Sequence, residues 1–189
     1  MRSLLLFVIC PWVTACGKFA PPIPPEYVAP RAVKELQVAT DVNGVNFSWQ
    51  APDLEVQGKP LRFIDGYQIV RKEMERKEQL LDDDIEYQKI ASIDDTHLVE
   101  LDKLKEVAIA ENRPTRRVSV PAEMKQFQYS DKNVQPGKLY AYKIIPVNQG
   151  GVEGEVENII RVNFRGDASE ITFIQESDFE EEIFLDVEP

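Results

Sequence analysis

Cysteine is nearly missing from this 189-residue chain: only Cys10 and Cys16 occur. No disulfide can form beyond residue 16, so a domain there must be held by its own core. Histidine occurs once, as His97. Zinc needs three or four ligands, and no thiol or second imidazole stands at ligand spacing from His97. No metal site and no cofactor are expected. Positive charge is also short, with 22 Lys and Arg against 33 Asp and Glu and a net charge of −11. Phosphate backbones are held by basic patches, so nucleic acid is not an expected partner. No apolar run reaches the ~20 residues of a membrane-spanning helix. A nucleophile elbow, a phosphate-cradling glycine loop and a metalloprotease helix motif are all absent. The chain is expected to be non-enzymatic, with no catalytic residue.

What is present begins at the N-terminus. Arg2 supplies a positive start, Leu4-Leu5-Leu6-Phe7-Val8-Ile9 a compact apolar stretch, and Pro11 a helix break. That is the layout of a secretory signal. Thr14 and Ala15 are small enough for a peptidase to reach the backbone, and Cys16 offers a thiol for thioether acylation. Cys10 is preceded by the bulky Ile9. Val13-Thr14-Ala15-Cys16 resembles the cleavage and acylation box of bacterial lipoproteins. The resemblance implies removal of residues 1–15 and a lipid, palmitate among its acyl groups, on Cys16. Gly17, which is not Asp, implies the outer membrane, facing the periplasm, by similarity to Gram-negative lipoproteins. The alternative is an ordinary secretory signal in which Cys16 is incidental.

Residues 16–31 hold Pro21, Pro22, Pro24, Pro25 and Pro30. Such density favours extended polyproline II and a semi-rigid stalk, with a docking peptide as the alternative. Residues 167–189 carry nine acids and no Lys or Arg, so most of the net charge lies there.

Between stalk and tail the pattern is that of strands. Val45-Asn46-Phe47-Ser48-Trp49 alternates apolar and polar, preceded by Leu36 and Val38 and the turn Asp41–Gly44. Further strands are expected at Tyr67–Arg71, Ile90–Ile93, Tyr140–Val147 and Ile160–Phe164. Short strands between Gly and Pro turns predict an all-β sandwich. Phe47-Ser48-Trp49 with Pro52 and then Gly66-Tyr67 resembles strands B and C of a fibronectin type III domain. Val134-Gln135-Pro136-Gly137-Lys138-Leu139-Tyr140 resembles the E–F corner of that family. The resemblance covers about residues 32–165. It implies strands A, B and E against C, C′, F and G, with Tyr140 as a tyrosine corner and Trp49 and Tyr67 in or beside the core.

Two segments depart from that pattern. In the charged stretch 71–86, Glu73 and Lys77 stand at i,i+4 and allow a short helical piece. Residues 94–125 are too long for an ordinary loop. Leu98, Leu101 and Leu104 recur there at helical spacing after Asp95-Thr96, a capping pair, and Asn112-Arg113-Pro114 would end the helix. The insertion reads either as a loop folded onto the sandwich or as a recognition element. The acidic tail, residues 166–189, reads either as a disordered terminus or as a linear motif studded with Phe179, Ile183, Phe184 and Leu185, with a further strand possible at Ile171–Ile174.

Three short motifs have plain readings. Asp82-Asp83-Asp84 is a solvated turn, because a calcium loop needs alternating oxygens and a glycine. Arg165-Gly166-Asp167 matches an integrin-binding tripeptide but follows the last expected strand, where Gly166 ends the sheet. Asn46-Phe47-Ser48 matches a glycosylation sequon inside an expected strand.

The expected function is a lipid-anchored envelope protein whose sandwich binds or scaffolds. Its membrane contact is the lipid on Cys16, and its protein partner meets the 94–125 insertion or the tail. The alternative is a lipopeptide-driven accessory of an outer-membrane assembly or lipopolysaccharide-export machine. Cys16-Gly17-Lys18 before Pro21-Pro22 faintly resembles the start of such lipoproteins.

Overall fold

The computed structural model describes residues 24–81 and 85–175. Cys16, the signal, most of the stalk, Asp82–Asp84 and residues 176–189 lie outside the described residues.

Two antiparallel sheets face each other. The first has the order β1-β2-β5, from Lys34–Asp41, Gly44–Gln50 and Gln126–Asp131. The second has the order β4-β3-β6-β7-β8, where β3 is Gly66–Met74, β4 Gln88–Asp94, β6 Leu139–Val147, β7 Asn158–Asn163 and β8 Glu170–Gln175. Strands β1 to β7 take the arrangement A-B-E against C′-C-F-G of a fibronectin type III-like sandwich, and β8 is added beside β7. One helix, α1 (His97–Ala110), stands in the connection between β4 and β5.

Alternation explains the core. On β2, Val45, Phe47 and Trp49 point inward and are almost fully buried. They meet Tyr67, Ile69, Tyr142, Ile144, Ile160 and Val162 from the second sheet. The aromatic rings interlock: Trp49 stands edge-on to Tyr67 at 5.4 Å, and Phe47 lies 4.9 Å from Tyr142. Tilted and edge-on rings place positive edges against negative faces, adding ~0.5–1.5 kcal/mol per pair beyond burial.

The second sheet is also covered outside. Met74, Leu80, Leu139, Ala141, Ile159 and Ile174 form a separate cluster, with Tyr87 packed on it. Residues Lys77–Leu81 form a single 3₁₀ turn that brings Leu80 over this face. That cover is why β3 runs on to Met74, beyond the Arg71 expected from alternation. It also moves the expected helical piece: Glu73 is in the strand opposite Tyr140 and pairs with Lys138 at 2.8 Å, and helical turns start only at Lys77. Ile174 of β8 belongs to the same outer cluster, so residues 170–175, counted by sequence with the acidic tail, pack as part of the sandwich.

The first hairpin is closed by a side chain. Asp41 Oδ1 accepts from the Asn43 and Gly44 N–H groups at 2.6 and 3.1 Å, which holds its carboxyl below the ordinary value. A Cβ on Gly44 would collide with the Asp131 carbonyl, so only glycine permits β2 to start so close to β5. On the edge strand β1 the register shifts between Lys34 and Gln37, and Glu35 sits at φ 50. Such a bulge twists the edge and hinders pairing with another chain.

Candidate functional site

The insertion is built from its caps inward. The Asp95 carboxylate accepts from the His97 N–H at 2.9 Å and so closes the N-terminus of α1. Thr96, the other half of the expected capping pair, makes no side-chain cap bond. At the other end Asn112 adopts φ 53, the Arg113 N–H donates to the Ala108 carbonyl at 2.8 Å, and the Asn112 N–H to that of Ile109 at 3.0 Å. That is a Schellman stop, with asparagine tolerating the left-handed position.

His97 is buried and works structurally. Its Nδ1 lies 2.6 Å from Asp95 Oδ1, while Asp95 Oδ2 accepts from the Tyr67 hydroxyl at 2.7 Å. Tyr67 is on β3 and Asp95 follows β4, so this network pins the start of α1 to the second sheet. Leu98 packs on the core. The outward face carries Val99, and Val107 and Ile109 flank it; they are 52%, 49% and 63% exposed. A sandwich does not need these side chains in water.

Two grooves adjoin the insertion end of the molecule. One, of about 460 Å³, lies between α1 and residues 113–119, with Leu104, Val107, Pro114 and Val118 beside Arg113 and Arg117. The other, of about 990 Å³, lies between the start of β1 and the 155–158 segment, and Glu35, Glu155 and Glu157 line it with Phe173. The first is basic and apolar; the second mixes three glutamates with Arg31 and Lys34.

The remaining residues singled out by sequence fall as follows. Tyr140 is buried, and its hydroxyl oxygen accepts from the Gln135 N–H at 3.0 Å, across the turn where Gly137 takes φ 87. The Arg71 guanidinium lies 5.2 Å from its ring centre. Trp49 is buried with no partner for Nε1 among the described residues. Asn46 lies in β2 and bonds Asp41 and Ser130. Arg165-Gly166-Asp167 forms a turn after β7, with Gly166 at φ 63 beside Val42, at the end opposite α1. Among the described residues no cluster of His, Cys, Asp and Glu could hold a metal, and no helix is long and apolar enough to cross a membrane.

Sequence reasoning missed Asp131. Its Oδ2 accepts from Arg71 Nη1 at 2.8 Å and from the Tyr142 hydroxyl at 2.9 Å, while Oδ1 accepts from the Asn133 N–H at 3.0 Å. Arg71 also donates to the Asn133 carbonyl at 2.6 Å. This cluster ties β5 to β3 and β6 across the two sheets.

Burial raises the phenols of Tyr142 and Tyr67, and the adjacent charges of Asp131 and Asp95 raise them further. Burial alone pushes Tyr87 up to about 12. An unfolded tyrosine titrates near 10, so above that pH the unfolded chain binds fewer protons than the folded one and stability must fall. The urea midpoint should be level from about pH 7 to 9 and drop above about pH 10, by ~1.4 kcal/mol per pH unit for each such phenol. Tyr142→Phe should make that fall shallower by one proton. A level midpoint through pH 11 would contradict it.

No protein-family model and no curated protein matches this chain. Solved structures of similar shape include a twitchin kinase region from C. elegans, at 14% identity and TM-score 0.42, over 72% of this chain and 17% of that one. The third fibronectin III domain of the human KIAA0343 protein matches at 11% identity and TM-score 0.42, over 79% of this chain and 94% of that one. A myokine structure matches at 11% and 0.34, over 73% and 98%. The fold assignment rests on the strand order itself: an all-β, fibronectin type III-like sandwich with an inserted helix.

Proposed function

We propose that this chain is a non-enzymatic, lipid-anchored protein of the cell envelope, held through Cys16 to the outer membrane on its periplasmic side. Its sandwich is a binding or scaffolding module, and a protein partner meets the inserted helix. The observation that carries the binding role is the half-exposed apolar set Val99, Val107 and Ile109 on an element the sandwich does not require. The stalk joins the domain at that same end, where Asn148 Nδ2 donates to the Val28 carbonyl at 3.0 Å. Pro25–Val28 form a 3₁₀ turn and Ala29 is buried against the sandwich, so the expected stalk is shorter than residues 16–31. Residues 17–24 in polyproline II would span about 25 Å beneath the helix.

The test is photo-crosslinking in intact envelopes, with benzoylphenylalanine placed at Val99 or at Val42. Val42 is 74% exposed in the β1–β2 turn, at the end away from α1. A discrete adduct from position 99 and none from position 42 is expected. Adducts from 42 alone would overturn the assignment of the surface. Rescue of a deletion strain by residues 1–31 alone would replace this reading with the lipopeptide-driven one.

A further inference from the structure

The groove beside α1 has a chemistry that its surroundings leave unused. Leu104, Val107, Pro114 and Val118 give it an apolar floor, and no carboxylate lines it. Arg113 is paired with Glu111, but Arg116 and Arg117 are exposed and form no ion pair among the described residues. Such a surface fits an extended acidic segment with interspersed large apolar side chains, because each half of the groove rejects a uniformly charged or uniformly apolar peptide.

Residues 176–189 have that chemistry: seven carboxylates, no Lys or Arg, and Phe179, Ile183, Phe184, Leu185 and Val187. They leave the sandwich on the correct side. Gln175 is opposite Asn158 at the start of β7, and the same end of the sheet carries Val147, Gly66 and Asp94, from which the chain enters α1. Four strand spacings of about 4.8 Å separate β8 from β4, about 19 Å. Helix α1 adds about 21 Å at most. Fourteen extended residues reach about 46 Å, enough to cover both. The larger groove is nearer and includes Arg31 and Lys34, but Lys34 is paired with Asp53, and Glu35, Glu155 and Glu157 leave the groove with more carboxylates than cations.

We infer that the acidic tail of this chain docks in the groove formed by Leu104, Val107 and Val118 beside Arg117, with the exposed Arg116 adjoining it in the chain. The tail thereby covers one flank of the helix proposed to meet the partner. This inference does not need the lipid anchor, and it is tested on the purified chain, apart from any envelope partner.

Benzoylphenylalanine is placed at Val187, twelve residues and about 40 Å of extended chain beyond Gln175, in the full-length protein, which is irradiated at low salt and digested for mass spectrometry. The expected adduct lies within one chain, on residues 104–118. Arg116→Glu with Arg117→Glu should lower its yield about fivefold, the size expected for two exposed pairs. Both arginines are exposed, so an unchanged melting temperature separates this loss from unfolding. A tail variant with Asp186→Asn and Glu188→Gln should show the same drop, as should salt near 1 M, where screening acts within about 3 Å. Adducts on residues 31–36 or 155–158, adducts joining two chains, or an unchanged yield in both charge variants would each overturn the inference.

Discussion

Asp131→Ala should destabilise the sandwich by about 3–5 kcal/mol, the cost of breaking a buried ion pair from one side. Asp131 is 3% exposed and its partner Arg71 has a largely buried side chain. Removing the carboxylate strands the Arg71 guanidinium, the Tyr142 hydroxyl and the Asn133 N–H together. The buried Tyr142 hydroxyl then has no acceptor and Arg71 keeps only the Asn133 carbonyl, so its charge loses its counter-ion, the more expensive of the two losses. A domain of this size has ~5–15 kcal/mol to lose, so about a fifth or more of its stability depends on one side chain. Arg71→Met combined with Asp131→Ala should cost less than Asp131→Ala alone, because no charge is then left buried. Urea unfolding of the two variants gives the comparison. A loss below ~1 kcal/mol for Asp131→Ala would show that solvent reaches the cluster.

Asp131 also marks the limit of what the sequence reveals. Arg71 and Asp131 are 60 residues apart, and only the register of β2 on β5 and of β3 on β6 brings them together. No local pattern encodes that meeting. The β2 alternation Val45, Phe47, Trp49 is local, and it is readable because one face of the strand is buried and the other is not. The insertion helix is readable for a similar reason: Leu98, Leu101 and Leu104 repeat at helical spacing behind Asp95. Strand β3 hides its last residues because Met74 is covered by Leu80 from outside the sheet, which breaks the two-sided pattern that alternation assumes. His97 is a further residue whose role the sequence does not encode. As the lone histidine it offers no metal site, and its structural role is equally hidden: its ring meets Asp95, which also accepts from Tyr67, an arrangement visible only once β3 and β4 are paired.

The second large effect concerns attachment to the membrane. Cys16→Ala should abolish lipid modification outright, since only a thiol can form the thioether. One acyl chain holds a protein to a bilayer only weakly, while two or three make the attachment effectively permanent, so the effect is all or none. Among the described residues no helix is long and apolar enough to cross a bilayer. If cleavage is coupled to acylation at the proposed anchor, the variant chain should also keep residues 1–15. Its fold should be untouched, as the core is formed by residues from Val33 to Phe164.

That makes metabolic labelling with radioactive fatty acid the most direct test of a tethered binding module. Wild type and Cys10→Ala should incorporate the label equally, and Cys16→Ala should incorporate none. Equal labelling of Cys16→Ala, or loss of label in Cys10→Ala, would contradict the assignment of the anchor to Cys16.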